Sequence, residues 1–260
     1  MPSIHTKFTH FKGSKADLLK KLGKAVGPAK SYIDKKATYA GVKNRFAKMR
    51  TSDEVKEELK RSGYLSHVKL PQNIKTARLC AEGVATVMDR YPVMKKYNLV
   101  LGMRHLRPGV LASCQTDVDG KVTVSEDYFE KDKKLSQVFA DCVRQKFHPE
   151  GVGEESIVVH EYGHTINGII NREMAKIDPN YFSPRYTFQG YVYFTVCGFT
   201  DSTPYGEIEK QVSGYAAKNH REFLAEALSE ALCSPNPRPV ALKVLKAVDE
   251  AMQKISEAKS

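Results

Sequence analysis

His160-Glu161-Tyr162-Gly163-His164 sits inside a run of helical periodicity, with Ile157, Val158, Tyr162, Ile166 and Ile169 as the apolar positions around it. Residues four apart lie one turn apart on the same helix face, so His160 and His164 can bring two imidazoles to one tetrahedral zinc. Glu161 is rotated by about 100° from His160 and can reach a water beside that metal. Zinc brings the pKa of such a water toward about 7, and a carboxylate can take its proton as the oxygen attacks a carbonyl. The pattern therefore predicts a helix from about Glu154 built for metal-assisted hydrolysis, with one Zn2+ per chain as cofactor.

A catalytic zinc needs a third protein ligand and one open position. The helix does not continue with the Gly and third His of the metzincin extension, because Asn167 and Ile170 stand at those places. A better source of the ligand begins at Asn219, which can cap a second helix running to about Cys233. On it Glu222, 58 residues after His164, and Glu226 are four apart and share a face. Glu222 can ligate the metal, while Glu226, one turn along, can accept a hydrogen bond from a ligand imidazole. Tyr215, just upstream, reads either as a hydrogen-bond donor to developing negative charge or as a buried aromatic at the helix entry.

These two motifs together resemble the gluzincin-type peptidase domain of anthrax lethal factor and related zincin domains of phage and mobile-element proteins. Those domains pair HExxH with a downstream Tyr, an Asn four residues later and Glu-Phe-x-Ala-Glu-Ala; here Tyr215, Asn219 and Glu222 to Ala227 stand in the matching places. The likeness spans roughly residues 100 to 235 and is carried by about ten of them. It implies His160, His164 and Glu222 as metal ligands, Glu161 as catalytic base and Tyr215 as proton donor. It also implies a zinc metallopeptidase acting on a peptide or protein substrate.

A second likeness competes for the ligand. Gly198-Phe199-Thr200-Asp201-Ser202-Thr203-Pro204-Tyr205-Gly206 is similar to the Asp-bearing motif of aspzincin peptidases, although the Gly-to-Thr and Asp-to-Tyr spacings are each one residue too long. Asp201 is thus the alternative metal ligand, or a turn initiator before Pro204. The segment 119–129 resembles the edge strand that zincins place above the metal helix, where an extended peptide can bind through main-chain hydrogen bonds. It reads equally as a plain hairpin strand. His5, His10, His67, His105, His148 and His220 show no ligand spacing among themselves and read as ordinary surface or satisfied residues.

Composition bounds the reading. A chain of 260 residues, 41% hydrophobic and 27% charged, can bury one catalytic domain plus an extension. Cys80, Cys114, Cys142, Cys197 and Cys233 are scattered singly, which argues against a CxxC metal site or a disulfide framework and for a reducing compartment. There is no secretory signal pattern and no run of eighteen apolar residues, so the expectation is a cytoplasmic protein with no membrane span, virion-associated if phage-encoded. Residues 1–50 hold 13 Lys and Arg against Asp17 and Asp34, which accounts for the whole net charge of +11. Such an arm either attracts a polyanion or nucleic acid by counterion release or is a solvated helical face that binds nothing.

Periodicity divides the chain into a basic helical N-terminal region, residues 1–65, and a zincin-like catalytic domain, residues 66–260. In the first, helices are expected from a Ser14 cap to Gly27-Pro28, through Tyr39 to Met49, and from a Thr51/Glu54 capping box to Gly63. In the second, a helix with Pro71 in its first turn ends at Tyr91-Pro92. Strands follow at 99–103, 110–114 and 122–125, the last two joined by Asp119-Gly120. Residues 181–206, rich in Tyr, Phe and Gly, suggest irregular or strand-like structure, and Pro239 opens a final helix. The fold class is α+β, a small sheet followed by active-site helices. A structural or assembly protein of phage type that retains a zincin domain, with a polyanion-binding arm, is the alternative function; a polyanion binder with a purely structural metal is a third.

Overall fold

Thr51 opens the first helix that lies wholly within the described residues, which are 45–115, 120–182 and 187–259 of a computed structural model. Its hydroxyl accepts from the Glu54 amide at 3.2 Å, and Glu54 reaches back to the Arg50 amide at 2.5 Å. The helix, α1 (Ser52–Arg61), buries Val55 and Leu59 and is closed by Gly63 at φ +65°. Phe46, Val55, Leu59 and Tyr64 join the same apolar core as the rest of the described chain. The helix expected from Ser14 lies outside the described residues, as does the start of the one expected through Tyr39 to Met49, of which 45–47 are helical.

After β1 (His67–Val68), α2 (Ile74–Arg90) starts later than the sequence suggests. Asn73 is its cap, accepting from the amides of Lys75 at 3.0 Å and Thr76 at 3.5 Å. Pro71 is left outside the helix, because the Glu130 carboxylate takes the Gln72 and Asn73 amides instead.

The strands β2 (Val100–Arg104), β3 (Ala112–Gln115) and β4 (Lys121–Ser125) complete a four-stranded mixed sheet in the order β1-β2-β4-β3. β1, β2 and β4 run parallel, and β3 lies antiparallel to β4 with Cys114 opposite Val122. This corrects the expectation for 119–129. β4 has a partner on each side, so the edge belongs to β3. Gly120 enters β4 at φ +57°, and a Cβ there would meet Thr165 Cγ2 at 2.5 Å, so the turn needs a glycine. Asp119 lies outside the described residues.

One helical turn, α3 (Glu126–Phe129), leads to α4 (Asp132–Arg144), which the sequence reading passed over. Leu135, Val138, Phe139, Cys142 and Val143 follow helical spacing along it, with Leu135 and Phe139 turned into the core, so its signal was present in the sequence. α5 (Ser156–Ile177) is the central element: it packs on α2, β3, β4 and the two C-terminal helices and is buried on nearly every side from Ser156 to Ile170. Polar side chains at its middle are therefore enclosed by protein.

The described residues of the aromatic stretch 181–206 include no strand; 197–204 are irregular, as one of the two expectations had it, and 188–196 and 205–206 are helical. The stretch forms α6 (Phe188–Tyr191), which runs into a π-helical turn (Val192–Val196), and then α7 (Tyr205–Gln211). Its β-favouring aromatics instead pack on the next helix, with Tyr193 stacked at 4.2 Å on His220 and edge-on to Phe223 at 5.1 Å. α8 (His220–Cys233) and α9 (Pro239–Ala258) complete the α+β fold. None of the five cysteines is in a disulfide, and no described helix is long and apolar enough to cross a membrane.

Candidate metal centre

The Asn219 side chain accepts from the amides of Arg221 at 2.9 Å and Glu222 at 3.0 Å, which places Glu222 in the first turn of α8. α8 crosses α5 at Gly163, where an added Cβ would stand 3.1 Å from the Ala225 Cα and 3.3 Å from its Cβ. That crossing carries Glu222 onto the two imidazoles. Its Oε2 lies 3.2 Å from Nε2 of His160 and 3.2 Å from Nε2 of His164, whose rings meet edge-on at 4.9 Å.

The donor set fits a small divalent cation. A regular tetrahedron with bonds of about 2.0 to 2.1 Å has edges of about 3.3 to 3.4 Å, close to both contacts of Glu222. Oε2 of Glu222 is buried yet has no hydrogen-bond partner of acceptable geometry among the described residues. Such an orphaned oxygen is costly in an interior and is relieved by a cation. Among the described residues His160, His164 and Glu222 are the group whose ligand atoms converge in this way.

Without the cation the cluster is a knot of protonic interactions. Burial alone lowers the His160 pKa, but Glu222 and Glu226 outweigh it and raise it to about 10. Burial raises Glu222, and the two histidines at 3.2 Å more than reverse this, holding it well below the usual carboxylate range. Glu226, fully buried, is likewise raised by burial and lowered overall to about 2 by His148 and His160. Its Oε1 lies 2.7 Å from Nδ1 of His160, whose N–H points off the line between them.

Glu161 lines a cleft of about 580 Å³ that opens over the trio. Burial raises its pKa, against the pull of His160 and His164 and with help from Glu222 and Glu226. A carboxylate with a raised pKa is a better proton acceptor at neutral pH than an ordinary one. Ala112, Ser113 and Cys114 of β3 form one wall, and Tyr215, His220 and Arg221 line the cleft as well.

Tyr215 leads into a 3-10 turn (Ala216–Lys218), with its ring 5.7 Å from that of His160 and Lys218 Nζ 3.9 Å above it. Burial, followed by the nearby charges of Glu222, Glu161 and Glu226, pushes its pKa up to about 12, so the phenol keeps its proton. Asp201 does not join the trio. It lies on an exposed turn ahead of Pro204, beside hydrogen bonds between Thr200 and Thr203.

His148, which the sequence marks only as a surface or satisfied histidine, and Ser213, which carries no motif, complete the surroundings. His148 Nδ1 lies 3.2 Å from Glu226 Oε1, and Ser213 Oγ donates to Oε2 at 2.9 Å. His148 is 78 residues from its partner, and no spacing rule connects them. No protein-family model matches the chain, and neither does any curated protein or solved structure.

Proposed function

We propose that the chain is a zinc-dependent endopeptidase, with His160, His164 and Glu222 holding the metal and Glu161 acting as general base. The observation that carries this reading is the meeting of one carboxylate oxygen with two imidazole nitrogens, each at 3.2 Å, beneath a cleft that Glu161 lines. The likeness of the two motifs to lethal factor-type domains points the same way. A bound zinc supplies Lewis acidity and the activation of water at neutral pH.

The chain's own residues supply the remainder. Glu161 takes a proton from the attacking water as its oxygen bonds to the substrate carbonyl carbon, then delivers that proton to the amide nitrogen as the C–N bond breaks. Tyr215, protonated up to about pH 12, donates a hydrogen bond to the carbonyl oxygen as it gains negative charge. β3 pairs with β4 on one side only and lines the cleft, so its other side offers main-chain groups to an extended peptide. This favours peptides over small amides as substrates.

Incubation of the wild type and Glu161→Gln with a peptide library tests the reading. The variant should retain about one zinc per chain and produce no cleavage products, and normal cleavage by it would overturn the assignment of the base.

A further inference from the structure

Glu226 is fully buried with its charge, and it touches His160 on one side and His148 and Ser213 on the other. An imidazole that turns Nε2 to a metal must carry its proton on Nδ1, and that proton needs a fixed acceptor. A carboxylate held by a single contact can rotate away. Here the holding contacts come from outside both motifs.

His148 is presented by a short segment after α4. Lys146 there has φ 58°, the one non-glycine in the left-handed region among the described residues. Its carbonyl accepts from the Gly214 amide at 2.7 Å, and the Phe147 carbonyl accepts from the Tyr215 amide at 3.2 Å. The Phe147 ring packs on Tyr215 at 4.7 Å, and the His148 ring stacks on Phe139 of α4 at 5.8 Å. Ser213 Oγ, besides donating to Glu226, accepts from the Ala216 amide at 3.1 Å. Three consecutive residues thus grip both the turn bearing Tyr215 and the carboxylate behind His160.

We propose that His148 is a positioning residue that, with Ser213, locks Glu226 against His160 and thereby sets the affinity of the site for zinc. The inference rests on the zinc reading above, but its test does not need hydrolysis. Zinc alone is titrated against a chelator into the full-length wild type, His148→Phe, His148→Asn and Ser213→Ala. Phe keeps the ring stacked on Phe139 and removes the donor, whereas Asn keeps a donor near the Nδ1 position.

Zinc binding should weaken about 10- to 100-fold in His148→Phe and recover to within about threefold of wild type in His148→Asn. The visible spectrum of the cobalt-substituted protein should shift in the first and return in the second. A residue needed only for packing would give the opposite ranking, because Phe fills that space better than Asn. Wild-type affinity in His148→Phe, or no recovery in His148→Asn, would overturn the proposal. Should His148→Phe not fold, Ser213→Ala still has to bind zinc more weakly than wild type, and unchanged binding there sinks the idea equally. A wild type that takes up no zinc removes the peptidase reading as well, whereas zinc uptake with no effect of these substitutions removes this inference alone.

Discussion

Gly163 and Ala225 bring two helices so close that a methyl group on the first would stand 3.1 Å from the backbone of the second. Each belongs to a motif, Gly163 lying between the paired histidines and Ala225 three residues after Glu222. Their contact is the reason that a carboxylate on one helix reaches two imidazoles on the other. Small residues at a crossing allow backbones to approach, and larger ones force the axes apart.

Gly163→Val should therefore injure both stability and metal binding. Two extra methyl groups beyond the Cβ cannot fit against Ala225, and the helices must separate at a cost of about 1 to 3 kcal/mol. Thermal unfolding should show a lower midpoint, and zinc content should fall although all three ligands remain. A variant with wild-type zinc content would show that the crossing does not control the site.

Glu222→Ala should deplete the protein of zinc while leaving the fold largely intact, because the residue sits at the cleft and not in the apolar core. Asp201→Ala should leave zinc content unchanged, since that residue lies on an exposed turn. Elemental analysis of both purified variants decides between them. Depletion by the second substitution alone would transfer the ligand role to Asp201.

Tyr215→Phe preserves the ring beside Phe147 and removes only the hydroxyl. Turnover should fall about 10²- to 10³-fold with KM and zinc content little changed. Equal effects on KM and kcat would mean that the hydroxyl serves binding instead. Because burial and the neighbouring carboxylates raise the pKa of Tyr215, its deprotonation should cause no loss of activity near neutral pH.

The metal-free chain should have a stability maximum in mildly acidic solution. His160 is raised from 6.5 to about 10, so its contribution is complete below about 6.5 and fades as pH rises toward about 10. Glu226 is lowered from 4.5 to about 2, so its contribution is complete above about 4.5 and fades as pH falls toward about 2. Denaturant unfolding after chelation should be most resistant between these limits. Zinc must displace the His160 proton, so calorimetry at neutral pH in buffers of different ionisation enthalpy should detect proton release. A buffer-independent heat would contradict the raised pKa.

Much of the fold is local and could be read along the chain. The caps at Thr51 and Asn219, the start at Pro239 and the long apolar period of α5 all depend on neighbours a few residues away. So do the spacing of His160 to His164 and of Glu222 to Glu226, because a helix converts four residues into one turn wherever it occurs. Other features depend on remote partners. The aromatics of 188–196 are helical because Tyr193 finds His220 and Phe223 to pack on, and β3 rather than β4 is the edge because β2 occupies the other side of β4.

The candidate site divides in the same way. Sequence by itself determined which residue types could hold a metal and which faces they occupy. Tertiary structure alone decided that Glu222 meets both histidines, that Asp201 stays outside, and that His148 and Ser213 close around Glu226. The first follows from the close approach of two helices at Gly163 and Ala225, and the last from main-chain bonds between 146–147 and 214–215, packing relations between segments far apart in the chain that no local period encodes.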